Sequence, residues 1–252
     1  MSNPLILKLQ HGADLTDEDR AMLESITART REVGPREDLI REGDKPEHVR
    51  LVLEGFAFRY KMLPDGQRQI TGYLVPGDFC DLHVWILGEM DHSIGTLTRC
   101  TIVEVPGETI NELTARYPRI ARALWWATLV EDAVTREALV GMGQRPADRQ
   151  LAHFLCELLL RLQAVGRASE TSYEFPVTQE DLGDTLGLST VHVNRTLQKL
   201  RDDGLITLRG KALTIPDPDA LKRFAGFNPN YLHLRRGEKK GDPRGNVFRS
   251  GA

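Results

Sequence analysis

Residues 177–206, VTQEDLGDTLGLSTVHVNRTLQKLRDDGLI, leave the chain few ways to fold locally. Thr178 is placed to N-cap a helix, and Asp181, three residues on, can reach back to complete a capping box. Leu182 and Leu186, four apart, give that helix one apolar face. Gly187 ends it and Leu188 plugs the turn. Ser189 is the next N-cap, and Val193, Leu197 and Leu200 form the buried stripe of a second helix. With that stripe inward, Thr190, Val191, Asn194, Arg195 and Gln198 stay on or near the exposed side. A short helix offering small, amide and guanidinium side chains from its N-terminal half suits a DNA major groove, where Arg reads guanine and Asn reads adenine. The pattern alone also fits an ordinary surface αα-hairpin. The next residues favour DNA: Asp202-Asp203-Gly204-Leu205-Ile206 turns into a strand, and Leu208-Arg209-Gly210-Lys211-Ala212-Leu213 is a tight basic hairpin, a winged helix in order.

At 252 residues the chain holds one large domain or two ordinary ones, and 40% hydrophobic with 27% charged residues is a globular composition. The formal net charge of −3 excludes a protein that is basic all over. A DNA footprint must therefore be local, on the helix and wing, where Arg195, Lys199, Arg201, Arg209, Lys211, Lys222 and Arg223 stand against Asp202, Asp203, Asp217 and Asp219. No signal peptide and no apolar run near the ~20 residues of a membrane span is evident, so a cytoplasmic protein is expected. Cys80, Cys100 and Cys156 are scattered and odd in number, as for unpaired, buried thiols in a reducing compartment.

Along the chain, residues 1–14 read as a loosely ordered lead, and Thr16 opens a short capped helix carrying Met22, Leu23 and Ile26. From 34 to 105 the period is two. Val49, Leu51 and Leu53 alternate, then Phe56, Phe58 and Tyr60, with Pro64-Asp65-Gly66 as a hairpin turn and Pro76-Gly77 as a corner. A last strand is predicted over 96–105. Many short strands broken by Gly suggest a compact antiparallel β-sandwich or roll. From Arg119 the signal is helical, with Ile120, Leu124, Ala127, Glu131, Val134 and Ala138 at four-three spacing beside a second stripe of Ala123, Trp126, Val130, Ala133 and Val140. About 25 residues span nearly 40 Å. One face must bury on the β domain, and the other either on a partner copy, as the helix's length and its place between two domains favour, or inside the same monomer. Gly141-Met142-Gly143 is expected to break this helix as a hinge. A further helix follows, with Leu151, Leu155, Leu158, Leu159 and Leu162, then a strand at Tyr173–Phe175, and beyond the wing a helix capped at Pro216-Asp217-Pro218.

This order resembles the Crp/Fnr superfamily of bacterial transcription factors. The residues carrying the resemblance are Glu42-Gly43-Asp44, Leu53-Glu54-Gly55, Pro76-Gly77-Asp78-Phe79, the long helix and residues 177–206, together about 15–225. It implies an α+β chain with four parts: a cyclic-nucleotide-binding-like β-roll at 1–116, a central dimerisation helix and hinge at 117–142, a winged helix-turn-helix at 143–227 and a basic, disordered tail at 228–252. It further implies a homodimer on palindromic double-stranded DNA, with RNA polymerase as a partner if the protein activates, and no membrane. Nucleotide-binding members carry a Glu for the ribose and an Arg for the phosphate. A gapless count from Phe79 places Asp81-Leu82 and His92-Ser93 there, so these four residues are the effector-pocket candidates and cyclic AMP is not expected. With the first cysteine at residue 80, an N-terminal iron–sulfur cluster is not expected either; no cofactor is predicted, and the effector is left open among a different small molecule, a haem through His or Cys, and none. In the recognition helix Arg195 falls on the family's base-reading Arg, and Val191 stands where many members carry Glu and can pack on a thymine methyl. Asn194 and Thr190 complete the base readers, with Thr178, Gln179, His192 and Lys199 expected at phosphates.

The enzymatic alternative is a cupin-like metal site. It would need a convergent set such as two His and a carboxylate, but His48, His83 and His92 form no H-x-H pair, and no Ser-His-Asp, Walker or Rossmann signature is present. Trp125 and Trp126 either line an aromatic ligand site or, as adjacent residues on a helix, pack one per face.

Overall fold

The computed structural model describes residues 2–82 and 84–235; His83 and the basic stretch 236–252 lie outside the described residues. The chain opens on a helix, α1 (Pro4–Leu9), where a loose lead was expected. Asn3 accepts from the Leu5 amide (3.0 Å) and Pro4 occupies the first turn, where its missing N–H costs nothing. Six residues are too few to show a helical period. The helix exists because Leu5 and Leu9 are fully buried, in a core shared with Leu23, Leu51, Val103, Ile120 and Leu124. A Cβ on Gly77 (φ +92) would lie 2.6 Å from the Pro4 carbonyl oxygen, so only glycine at this corner lets α1 settle against the β domain. Helix α2 (Asp17–Ile26) is capped as expected at Thr16, through a full capping box in which Thr16 and Asp19 bond reciprocally.

Strands β1 (Arg31–Val33), β2 (Asp38–Ile40), β3 (His48–Glu54), β4 (Ala57–Met62), β5 (Arg68–Leu74), β6 (Ser93–Thr96) and β7 (Cys100–Pro106) form the roll, with a one-turn helix α3 (Val84–Leu87) after β5. They make two antiparallel sheets, in the orders β1-β7-β3 and β2-β6-β4-β5. Val52, Ala57, Leu74, Cys80, Ile94, Cys100 and Ile102 are buried together within the roll. The strand expected over 96–105 is two strands in different sheets. At Leu97 and Thr98 both amides turn to the Phe56 carbonyl (2.7 and 3.2 Å), and this interrupts the ladder.

Helices α4 (Gly107–Arg116), α5 (Pro118–Gln144) and α6 (Ala147–Ala164) follow. The central helix α5 does not break at Gly141-Met142-Gly143; it runs through them to Gln144. The break is at Arg145 (φ −89°, ψ 137°), because Pro146 excludes the helical region for the residue before it. Most of both apolar stripes read from the sequence face this chain's own domains: Ile120, Ala123, Leu124, Ala127, Val130 and Ala133 are buried, while Ala138 at the end of the first stripe is exposed. The exposed apolar residues are Trp125, Leu129, Leu139, Val140 and Met142, a different stripe, and Val140 lies on it rather than inside. Trp126 turns inward and stacks on His11 (6.2 Å between centroids), so the two tryptophans do sit one per face.

The C-terminal unit contains β8 (Ser172–Glu174), α7 (Gln179–Leu186), α8 (Thr190–Asp202), β9 (Thr207–Arg209), β10 (Ala212–Thr214) and α9 (Pro218–Ala225), its sheet ordered β8-β10-β9. Its core is continuous with Phe58, Ile70 and Tyr73 of the roll. Residues 228–235, expected to belong to a disordered tail, include a 3-10 turn at Pro229–Leu232 whose Tyr231 and Leu232 are buried. Two apolar side chains in a polar stretch gave too little signal to read as structure.

Because α1 is core, Leu5→Ala or Leu9→Ala should lower the unfolding free energy by about 2–5 kcal/mol in urea titration. A change within about 0.5 kcal/mol, as for a solvated surface residue, would return α1 to a loose lead.

Candidate nucleic-acid interface

Helices α7 and α8 form the helix-turn-helix by the local rules read from the sequence. The Thr178 hydroxyl accepts from the Asp181 amide (3.1 Å), and Asp181 accepts in return from the Thr178 amide (3.2 Å) and hydroxyl (2.7 Å). Gly187 closes α7 in the left-handed conformation (φ 67°), and Ser189 accepts from the His192 amide to start α8. A Cβ on Gly183 would meet the Leu188 carbonyl oxygen at 2.7 Å, so the two helices approach as closely as they do only with glycine here. Val193, Leu197 and Leu200 are buried, at roughly 1.5–3 kcal/mol of transfer free energy each. That anchoring leaves Thr190, Val191, Asn194, Arg195 and Gln198 together on one open face with Gln179 and Lys199. Val191 is 70% exposed, a β-branched apolar side chain held in water on a well-anchored helix. Asn194 donates to Gln179 (3.3 Å), while Arg195 is exposed.

The phosphate candidates divide. Gln179 and Lys199 border the open face, although the Lys199 ammonium already pairs with Asp148 of α6. His192 is exposed outside it, and the Thr178 hydroxyl is engaged in the capping box. Arg209 and Lys211 flank Gly210 at the wing tip, both exposed, as the basic hairpin promised.

Helix α7 is also fastened to the roll. Arg36 makes a bidentate pair with Asp181 (2.9 and 2.8 Å), and Arg68 bridges Asp181 (2.8 Å) and Asp184 (2.7 Å). The Tyr73 hydroxyl shares a hydrogen bond with Thr185 (2.8 Å). Burial alone would raise the Asp181 pKa, but the Arg36 guanidinium and the Thr178 hydroxyl and amide outweigh it and hold it at about 2. Nothing in the sequence pointed to this fastening, since Arg36 and Arg68 lie more than a hundred residues from their partner.

A narrow cavity of about 60 Å³ lies between α1, β4, β5, α5 and α6. Arg59, across from Gly72 in the β4–β5 ladder, sends its guanidinium to the Phe79 carbonyl (2.9 Å) and to Glu131 of α5 (3.0 Å). Beside it Asp78 is buried between Lys8 (2.5 Å) and Arg161 (2.9 Å). Desolvation would raise the Asp78 pKa, yet these two cations bring it below the usual carboxylate range. The four effector candidates do not line this cavity. The buried Asp81 carboxylate accepts from the Arg50 amide (2.7 Å) and guanidinium (3.1 Å), and Leu82 packs beside the α1 core. His92 pairs with Asp91 (2.6 Å), and Ser93 accepts from the Glu42 amide (3.0 Å).

The helix-turn-helix and wing, hung on a long helix behind a β-roll, find their match in known proteins. Residues 149–224 match the Crp-like helix-turn-helix domain, and residues 30–117 match the cyclic nucleotide-binding domain. The nitrogen fixation regulation protein FixK of Bradyrhizobium diazoefficiens is 34% identical over 193 residues, covering 75% of this chain and 78% of that protein. The chain belongs to the Crp/Fnr family. The transcriptional activator protein Anr of Pseudomonas aeruginosa is 28% identical over 88% of this chain and 89% of its own length. In fold, the structure of FixK2 from Bradyrhizobium japonicum superposes with a TM-score of 0.70 at 24% identity, over 77% of this chain and 96% of that one.

As a Crp/Fnr member the chain is a DNA-binding transcription regulator, and its relatives are regulators rather than enzymes. Among the described residues no group of three His, Cys, Asp or Glu side chains is placed to hold a metal, and no helix is long and apolar enough to cross a membrane. A Cys₄-ligated iron–sulfur cluster does not fit: the chain has three cysteines, all buried. A cyclic nucleotide does not fit the arrangement seen either. About 60 Å³ falls well short of the roughly 300 Å³ at which small-molecule pockets begin, and the cavity's cations are already matched by Glu131 and Asp78.

With its folded pKa below its unfolded value, Asp181 contributes stability that is fully present above about pH 4 and lost as pH falls through about 2. Thermal melts should therefore show Asp181→Asn well below the parent at pH 6, with the gap closing towards pH 2. A gap that stays constant with pH would remove Asp181 from this role.

Proposed function

We propose that the protein acts as a homodimer on an inverted-repeat operator, its two α8 helices entering successive major grooves about 34 Å apart. The observation carrying this reading is the single open face on which Thr190, Val191, Asn194 and Arg195 converge while Val193, Leu197 and Leu200 anchor the helix from behind. Arg195 takes a guanine, Asn194 an adenine once it exchanges Gln179 for a base, and Val191 a thymine methyl, with Thr190 beside them. Gln179, His192, Lys199 and the wing pair Arg209 and Lys211 take phosphates, and Thr178, its amide and hydroxyl both committed to Asp181, reaches one only by giving up a capping-box bond. Dimerisation uses the exposed stripe of α5, where Trp125, Leu129 and Leu139 recur with Asp132 and Arg136 between them. The narrow cavity, with its charges paired among themselves, supports a regulator whose α5 is tied to the roll without cyclic AMP or an iron–sulfur cluster. The name of the Pseudomonas relative supports activation, and with it a contact to RNA polymerase. The cytoplasm, where its DNA lies, is the compartment.

Arg195→Ala should weaken binding to the selected operator by about 1–3 kcal/mol and relax preference at one base pair, as read by fluorescence anisotropy. Titrations that superpose on the parent would sink this reading of α8. Because Leu129 and Leu139 are exposed within one chain, Leu129→Asp with Leu139→Asp should leave the melting temperature of the fold nearly unchanged. The same pair should shift sedimentation from dimer to monomer, and a sedimentation coefficient equal to the parent's would place the seam elsewhere.

A further inference from the structure

Past the winged helix the chain turns back across the molecule. Gly226 (φ 62°) reverses it after α9, and Phe227 sets its ring edge-on to His153 of α6 (4.8 Å between centroids). Tyr231 stacks on the same imidazole (5.9 Å), beside Phe227 (6.0 Å between their centroids), and donates its hydroxyl to the buried Glu157 of α6 (2.9 Å). The next residues stay packed on the winged-helix core and also reach the roll and the central helix. Leu232 and Leu234 line the cavity that holds Arg59 and Glu131, opposite Trp126, Val130 and Val134 of α5. Arg235 then reaches the turn after α1: its amide donates to His11 Nδ1 (3.1 Å), its Nε to the His11 carbonyl (3.1 Å), and its guanidinium pairs with Asp14. His11 is itself stacked on Trp126. Ten residues thus touch the winged-helix unit, the central helix and the N-terminal helix in succession.

We propose that residues 226–235 are a built-in strap that seals this cavity and fixes the winged-helix unit against α5. The segment lies beyond the residues matched by the Crp-like helix-turn-helix domain, which end at 224. It covers the cavity with the chain's own leucines, so the unit is oriented by covalently attached contacts and not by a dissociable ligand. The direction of its effect follows from the geometry. With the strap in place the face bearing Thr190, Val191, Asn194 and Arg195 is exposed, so the strapped form hides nothing that reads DNA. Holding that face at a constant position relative to α5 removes the entropic cost of ordering two tethered units on one operator. The strap therefore promotes operator binding, a conclusion that rests on the DNA-binding reading above.

The test compares full-length parent, Arg235→Ala and Leu232→Asp by two measurements. One is amide exchange over residues 8–14 and 126–134. The other is affinity for a duplex bearing the motif that the parent selects from random-sequence DNA. Leu232→Asp is expected to speed exchange in both segments about tenfold or more and to weaken operator binding about three- to tenfold, equivalent to roughly 0.7–1.4 kcal/mol. Arg235→Ala, an exposed position that leaves the core intact, moves both in the same direction by about twofold. Unchanged exchange in Leu232→Asp overturns the strap, and faster exchange with unchanged or tighter operator binding overturns its role in DNA recognition. If Leu232→Asp does not fold, Arg235→Ala decides both points by the same criteria. A parent that selects no motif would fail the DNA-binding reading, while the exchange measurement would still decide whether the strap holds.

Discussion

The Asp181 carboxylate is shared between two tasks that would ordinarily fall to different residues. It closes the capping box that starts α7, and it receives two arginines, Arg36 and Arg68, from the roll. A capping box needs only a carboxylate at the edge of solvent. Here the same group is almost fully buried, so it is tolerable only because guanidinium groups neutralise it. The first helix of the DNA-reading pair therefore cannot be placed independently of the roll. This ionised group starts the helix and ties it to the roll, with Asp184 and Thr185 adding further ties, and α8 inherits that placement through Val193, Leu197, the turn at Gly187 and the close approach at Gly183.

Similar logic governs the far side of the interface. Asp78 lies between Lys8 and Arg161, and Arg59 lies between Glu131 and the corner carbonyls of Phe79 and Cys80. Every one of these charges is largely withdrawn from water, and each has an opposite charge within hydrogen-bonding reach. Roll, central helix and α6 meet here through groups that are costly to separate, because pulling any two elements apart strands a buried charge. By contrast, the i,i+4 pairs on the outer face of α5, such as Asp132 with Arg136, are solvated and weigh little in the fold.

What could be read from the chain follows from how local each cause is. The helix-turn-helix was legible to the residue because caps, turns and the Val193–Leu197–Leu200 stripe act within a few positions. The strands of the roll were legible where alternation was clean, as in β3 and β4, and not at Thr98, where two amides converge on one distant carbonyl. Residues 141–143 looked like a hinge by glycine content, yet buried Gly141 continues the helix and Pro146 ends it. The effector candidates came from a gapless count past Phe79, whereas the cavity beside α5 is furnished by Lys8, Arg59, Glu131 and Arg161, spread over 150 residues. Pairings at such separations leave no period or spacing in the sequence. Arg59 did carry a faint sign, as a cation within a run of alternating aromatics.

The three cysteines have a use that follows from where they are buried. Cys80 and Cys100 lie inside the roll and Cys156 inside the winged-helix unit, and burial pushes their thiols up, Cys100 to about 11 and Cys156 to about 12. As protonated, enclosed thiols they are inert towards oxidants and alkylating reagents while their surroundings are closed. Each can react only when its own half of the molecule opens. The chain thus carries two internal clocks, one per domain, and the order in which they run reports which half unfolds first.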